Sequence, residues 1–234
     1  MKSSTTKLAA AAVVIALVVL GLFEFIGTGS TSGVVWAEVV QKVQASRGVI
    51  FRGRDTAMDS QDGGSDYIMN YLSSTHSRLD FYKGDEIFKT IYDDFNTKTV
   101  ILVDHSHKSY VKMTFEKMQQ NHLLSDPKSL VQRFLSHEHR ELEPKTVEGV
   151  LCEGIETTDP TFDESGPDYP TDSVMARIWV SVETGYPVQF EIDIVRNNGE
   201  IRIGGIVDQF QWDVELDESM FEPNIPPDYI DISP

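Results

Sequence analysis

The chain holds one cysteine, Cys152, so it can form no disulfide within itself and must rely on a packed core. No H-E-x-x-H, C-x-x-C, G-x-S-x-G, P-loop or G-x-G-x-x-G run occurs, so no motif of hydrolytic, redox or nucleotide chemistry is in sight. Basic residues are scarce, 20 against 37 acidic, for a formal net charge of −17. Setting aside Lys2, Lys7 and Glu24 leaves 18 against 36, or −18, for everything beyond the N-terminal segment. Such a chain repels phosphate backbones and anionic head groups, which excludes nucleic acid as a partner. Repeats of domain-forming length are lacking, and low complexity is confined to the short GTGSTSG stretch at 27–33.

What is present first is a long apolar run, Leu8–Ile26, charged only at Glu24. As a helix it would measure roughly 28 Å, close to the ~30 Å hydrocarbon core of a bilayer. Lys2 and Lys7 precede it, and no Lys or Arg follows until Lys42. The positive-inside rule then keeps the N-terminus cytoplasmic and exports the rest. The uncharged stretch is longer than a cleavable signal needs and no Ala-x-Ala follows, which favours an uncleaved anchor over a cleaved signal. The expected layout is a cytoplasmic N-terminus at 1–7, a signal-anchor transmembrane helix at 8–26, a linker at 27–33 and an exported domain at 34–234. The expected location is the bacterial inner membrane, single-pass, with the C-terminal domain periplasmic.

Beyond the linker, Ser32 is placed to cap a helix whose stripe is Val35, Trp36, Val39, Val40 and Val43. The period then changes to two. Six short strands are expected between Val49 and Met113, punctuated by Asp59–Asp66, Lys83–Asp85, Asp94–Lys98 and Asp104–Lys108. Phe115–Leu124 reads as helix. Asp126-Pro127 then marks a second helix start, with Leu130, Val131, Phe134 and Leu135 as its apolar stripe. Four strands follow, at Thr146–Thr157, Val174–Val182, Pro187–Val195 and Ile201–Val214, the last pair joined by Asn197-Asn198-Gly199. The proline-rich end, Phe221–Tyr229, is expected to strap across an edge.

The order is helix, six strands, two helices, four strands. An antiparallel sheet of about ten strands must curl. The fold expected is α+β: a strongly curved antiparallel half-barrel with helices over its concave face, preceded by one transmembrane helix.

Four features carry a family likeness: the Trp36 helix, the long meander, the hairpin Trp179-Val180-Ser181-Val182-Glu183-Thr184-Gly185-Tyr186-Pro187, and the closing Phe221-x-Pro-x-x-Pro-Pro-x-Tyr229. The pattern resembles the LolA-like superfamily of envelope proteins, which includes lipoprotein carriers, their receptors and a stress regulator. Asp228 stands where that family usually has Gly before the terminal Tyr. The resemblance implies an apolar space between sheet and helices that holds acyl chains of a lipid or lipoprotein. For an anchored chain it implies a local binding module more than a ferry. An alternative it also implies is a sensor or regulatory interaction module, whose partner is an anti-sigma-like envelope membrane protein.

Parity alone leaves open which strand face points inward. The candidates for lining the space are the aromatic and methionine positions Trp36, Phe51, Tyr67, Met69, Tyr71, Phe81, Phe88, Met113 and Phe134. No metal, cofactor or catalytic residue is expected. His105 and His107 fall in an expected turn, and His137 and His139 at a helix end where their rings diverge. The five carboxylates of Asp159–Asp172 lack the ligand order of a calcium loop. Cys152, between Leu151 and Glu153 in a strand, reads as packed rather than reactive.

Overall fold

The computed structural model describes residues 33–55, 65–114, 126–163 and 170–234. The apolar run 8–26, residues 27–32 of the linker, most of the expected Asp59–Asp66 loop, the expected helix Phe115–Leu124 and residues 164–169 of the acidic loop lie outside the described residues. Among the described residues no helix is long and apolar enough to cross a membrane.

The chain forms α1 (Trp36–Ala45), then β1 (Gly48–Asp55), β2 (Tyr67–Ser73), β3 (His76–Lys83), β4 (Glu86–Asp94), β5 (Thr99–Asp104) and β6 (Ser109–Thr114). After α2 (Pro127–Ser136) come β7 (Arg140–Val147), β8 (Val150–Thr157), β9 (Thr171–Ser181), β10 (Pro187–Arg196), β11 (Ile201–Trp212) and a two-residue β12 (Ile230–Asp231). All twelve strands belong to one curved, unclosed sheet in the order β12-β6-β5-β4-β3-β2-β1-β11-β10-β9-β8-β7. The β1–β11 pairing joins the two meanders at the middle of the sheet, and only the β12–β6 pair is parallel.

The six-strand meander before α2 is as expected, whereas the second half holds more strand than its sequence suggests. The single strand expected near Thr146–Thr157 is a hairpin, β7–β8, turned at Glu148 (φ 48°) and Gly149 (φ 86°). Its first arm carries Pro144 and little apolar alternation because it is the sheet's outer edge, where a missing N–H costs no ladder bond. The proline-rich tail does more than strap an edge. It crosses the face of the first meander opposite the helices, with the Arg78 guanidinium donating to the Met220 carbonyl and Phe221 stacked on His76, and it ends as β12.

Both helices are built as their stripes require. In α1, Ala37, Val39 and Val43 are buried, and Trp36 and Val40 pack on the same core. The N-cap is Val35, with no side-chain cap; Ser32, expected there, lies outside the described residues. The approach to this helix is held instead by Glu153 of β8, whose carboxylate accepts from the Gly33 and Val34 amides at 2.8 and 3.0 Å. In α2, Pro127 opens the first turn and the Asp126 carboxylate accepts from the Lys128 amide at 3.0 Å. Leu130, Val131 and Phe134 are buried.

The main core lies between these helices and the middle of the sheet. Phe134 packs at 4.9 Å on Phe162 and at 6.1 Å on Phe190, and Phe51 stacks at 5.5 Å on Phe210. Phe51, Phe134, Phe162 and Phe190 are each at most 1% exposed.

Candidate functional site

Cross-strand register fixes the faces that sequence parity left open. Val49, Leu72, Ser77, Asp93, Val100 and Met113 stand opposite one another from β1 to β6. So do Phe51, Asn70, Leu79, Ile91, Leu102 and Val111. Paired residues share a face, and Val49, Phe51 and Leu72 belong to the core that the helices cover. These rows therefore lie on the helix-bearing face. Along β2–β6 they form a second apolar cluster of Leu79, Ile91 and Val100 with Ile68, Phe81, Leu102 and Met113, which no side chain of α1 or α2 joins.

Where the two clusters meet, the same face holds a cavity of about 330 Å³. Leu72, Leu79 and Ile91 form its apolar floor; Ser73 and Ser74 of the β2–β3 turn and Phe95 beyond β4 form its rim. Asp126 and Lys128, at the start of α2, close the opposite wall. Two polar side chains interrupt the floor, the Ser77 hydroxyl donating to one oxygen of the Asp93 carboxylate at 2.6 Å. Lys128 donates to the Ser46 carbonyl at 2.6 Å, which ties α2 to the end of α1 and holds that wall in place. The volume sits at the lower end of the range typical of small-molecule sites, and the lining is apolar with a few polar groups.

None of the nine candidate residues lines this cavity. Phe51 and Phe134 are fully buried in the main core, and Trp36 packs against it. Phe81 and Met113 belong to the second cluster on the helix-bearing face. Phe88 contacts Phe81 edge-on at 6.3 Å beside the irregularity in the β3–β4 register. Tyr67, Met69 and Tyr71 lie on the other face, opposite Tyr82, Asp80 and Arg78. The cavity is lined in part where small and polar residues take apolar positions in the alternation, as Ser77 and Asp93 do, and that signal is present in the sequence.

The face away from the helices carries most of the buried charge. Asp208, 1% exposed, accepts from both Arg52 and Arg54. Asp80, equally buried, accepts from Arg78 at 3.0 Å and from the Thr90 hydroxyl at 2.9 Å. Glu156 accepts from Arg177 at 2.6 Å and from Arg140 at 2.9 Å. Burial opposes ionisation of Glu156, but the two guanidinium partners outweigh it and hold its carboxyl below the usual range. Each of these three carboxylates is matched by arginine, which makes the arrangement a structural one.

The histidines make structural contacts. His105 Nδ1 meets the Tyr229 hydroxyl at 3.0 Å, which pins the tail, and His107 Nδ1 meets Asp104 at 2.9 Å. His137 Nδ1 meets the Arg133 carbonyl at 2.8 Å, at the end of α2, and His139 Nδ1 meets the His137 carbonyl at 2.8 Å. In the acidic loop, Asp159 caps a short 3-10 turn, Asp163 pairs with Arg196, and Asp172 accepts from the Gly199 amide. Cys152 is fully buried, and burial pushes its thiol up.

No family model and no curated protein matches this chain. Among solved structures it is similar to the lipoprotein LppX of Mycobacterium tuberculosis, with 13% identity, TM-score 0.48, and 78% of this chain and 96% of that one covered. It is similar to LprF of Mycobacterium bovis, with 10% identity, TM-score 0.45, and 82% and 96% covered. A LolA superfamily protein of Nitrosomonas europaea matches with 10% identity, TM-score 0.31, and 81% and 98% covered.

Proposed function

We propose that this protein is a membrane-anchored envelope binding protein that holds a lipid, acyl chain or lipoprotein against the helix-bearing face of its sheet. The observation that carries the reading is the 330 Å³ cavity on that face, set where the helix layer gives way to the apolar strip of Leu79, Ile91, Leu102 and Met113. An apolar tail lies along Leu72, Leu79 and Ile91, and the polar end of the ligand faces Ser73 and Ser74 at the rim and Lys128 in the wall across from them. The apolar run Leu8–Ile26 tethers the module in the inner membrane with the domain on the periplasmic side. The chemistry is binding, without bond making.

The test is uptake of a fluorescent fatty acid by the full chain held in nanodiscs, with empty nanodiscs as the blank. Ser74 is exposed and lines the rim, so Ser74→Trp plugs the opening without disturbing the core. A loss of about 1.4 kcal/mol of binding, equal to a ~tenfold weaker uptake, is expected for that variant. Uptake no greater than the blank, or undiminished in Ser74→Trp, overturns the reading.

A further inference from the structure

Of the seven exposed large apolar side chains among the described residues, four lie at one end of the sheet, while Ile203, Ile230 and Ile232 lie toward the other. Because β1–β11 are antiparallel, one end collects Gly48, the turns at 73–76, 95–98, 148–149 and 182–186, and Trp212. Val35, Phe95, Leu151 and Val182, which are 45%, 40%, 57% and 38% exposed, all belong to that end. Leu151 and Val182 are joined directly, the Val182 amide donating to the Leu151 carbonyl at 3.0 Å. Gly33 runs alongside them: a Cβ placed on it would lie 3.5 Å from Val182 Cγ1. The rim of the cavity, Ser73, Ser74 and Phe95, is at the same end.

Six residues, 27–32, separate Gly33 from the end of the apolar run at Ile26. Fully extended, the seven steps from Ile26 to Gly33 reach at most ~25 Å. The end of the sheet that exposes these side chains is therefore the one held beside the bilayer.

We infer that this end of the domain docks on the surface of the bilayer that holds its own N-terminus, with Val35, Leu151 and Val182 in the lipid interface and the cavity rim turned toward the membrane. The inference rests on the anchored binding module proposed above and adds its orientation. A few partly exposed apolar groups would hold a free protein only weakly. On a tether the second contact is intramolecular, and the same groups suffice. The exposed charges of this end are Glu148 and Glu183 with Lys98, while Arg47 is paired with Asp213 and Glu215 and Lys42 with the Thr184 carbonyl, and this balance makes a zwitterionic surface the occupant rather than an anionic one. A ligand then passes between bilayer and cavity without crossing open water.

The full chain in phosphatidylcholine vesicles tests this, with an environment-sensitive fluorophore on Leu151→Cys or Val182→Cys and a control on Asp85→Cys at the opposite end of the sheet. Cys152 is buried, and the unsubstituted chain serves as the labelling blank. Spin-labelled lipid should quench the first two sites several-fold more than the control. The double variant Leu151→Asp, Val182→Asp, labelled at Val35→Cys, should lose that quenching, and phosphatidylglycerol in the vesicles should lower it. Flotation of the vesicles reads the anchor separately. A chain that floats but is quenched equally at all sites overturns the docking and spares the anchor. A chain that does not float overturns both. Quenching that rises with phosphatidylglycerol overturns the zwitterionic assignment.

Discussion

The middle of the sheet and its first meander use the same alternation to different ends. Under α1 and α2, the helix-facing positions of β1 and β8–β10 include Val49, Phe51, Ile155, Ile178, Phe190 and Ile192, all at most 3% exposed and in one core with Phe134. On β2–β4 the same face carries Asn70, Ser77 and Asp93 among Leu72, Leu79 and Ile91, and it holds the cavity. The strands are alike; the helices differ in what they reach. A helix supplies the second layer that turns an apolar stripe into a solid core, and where its side chains stop, polar residues and open volume can persist.

The sharpest way to break this comparison is to cut one large side chain from each region. Phe134→Ala should cost about 4 kcal/mol, because its neighbours Phe162 and Phe190 cannot collapse into the space. Ile91→Ala, beside an existing opening, should cost nearer 2 kcal/mol, the low end for such truncations. Urea unfolding of both variants measures the difference; equal costs would show the two regions to be packed alike.

Glu156→Gln probes the arginine-matched carboxylates on the face away from the helices. Losing charge-assisted bonds to Arg140 and Arg177 should destabilise by about 2 kcal/mol at neutral pH, the side chain being 4% exposed. Because the folded-state pKa is depressed, that contribution is complete above the ordinary carboxylate range and is lost as pH falls through the folded value. The melting temperatures of wild type and variant should therefore converge in acid. A constant gap down to low pH would rule out the ion pair as its source.

The smallest effects sharpen the comparison at two glycines. A Cβ on Gly154 would lie 2.5 Å from Trp179 Cε3 and 2.9 Å from the Ile178 carbonyl, so Gly154→Ala should cost about 1–2 kcal/mol through overpacking. On Gly53 it would meet only Asn70 Nδ2 at 3.7 Å and the Ile68 carbonyl at 3.9 Å, and Gly53→Ala should be neutral or slightly stabilising. Thermal melts of the pair decide it.

Much of this was legible before any coordinates. The Asp126-Pro127 helix start, the stripes of both helices and the six-strand meander follow from residue spacing, since cap chemistry and side-chain period are local properties. The β7 arm was not legible, because an edge strand needs no apolar face, and Arg140–Val147 has almost none. Nor was the path of the tail: Phe221 and Tyr229 find His76 and His105 across the sheet, partners more than 100 residues away in sequence.

By itself, then, the sequence determined the kinds of element, their order, the acidic balance and the need for a core without disulfides, all of which depend on composition and near neighbours. Tertiary structure alone decided that β1 pairs with β11, which parity of β2 faces the helices, and that the open volume stands beside Ser77 and Asp93 rather than beneath the large aromatics. Those outcomes depend on which residues meet across strands and on how far each helix reaches, and period along a chain does not encode either.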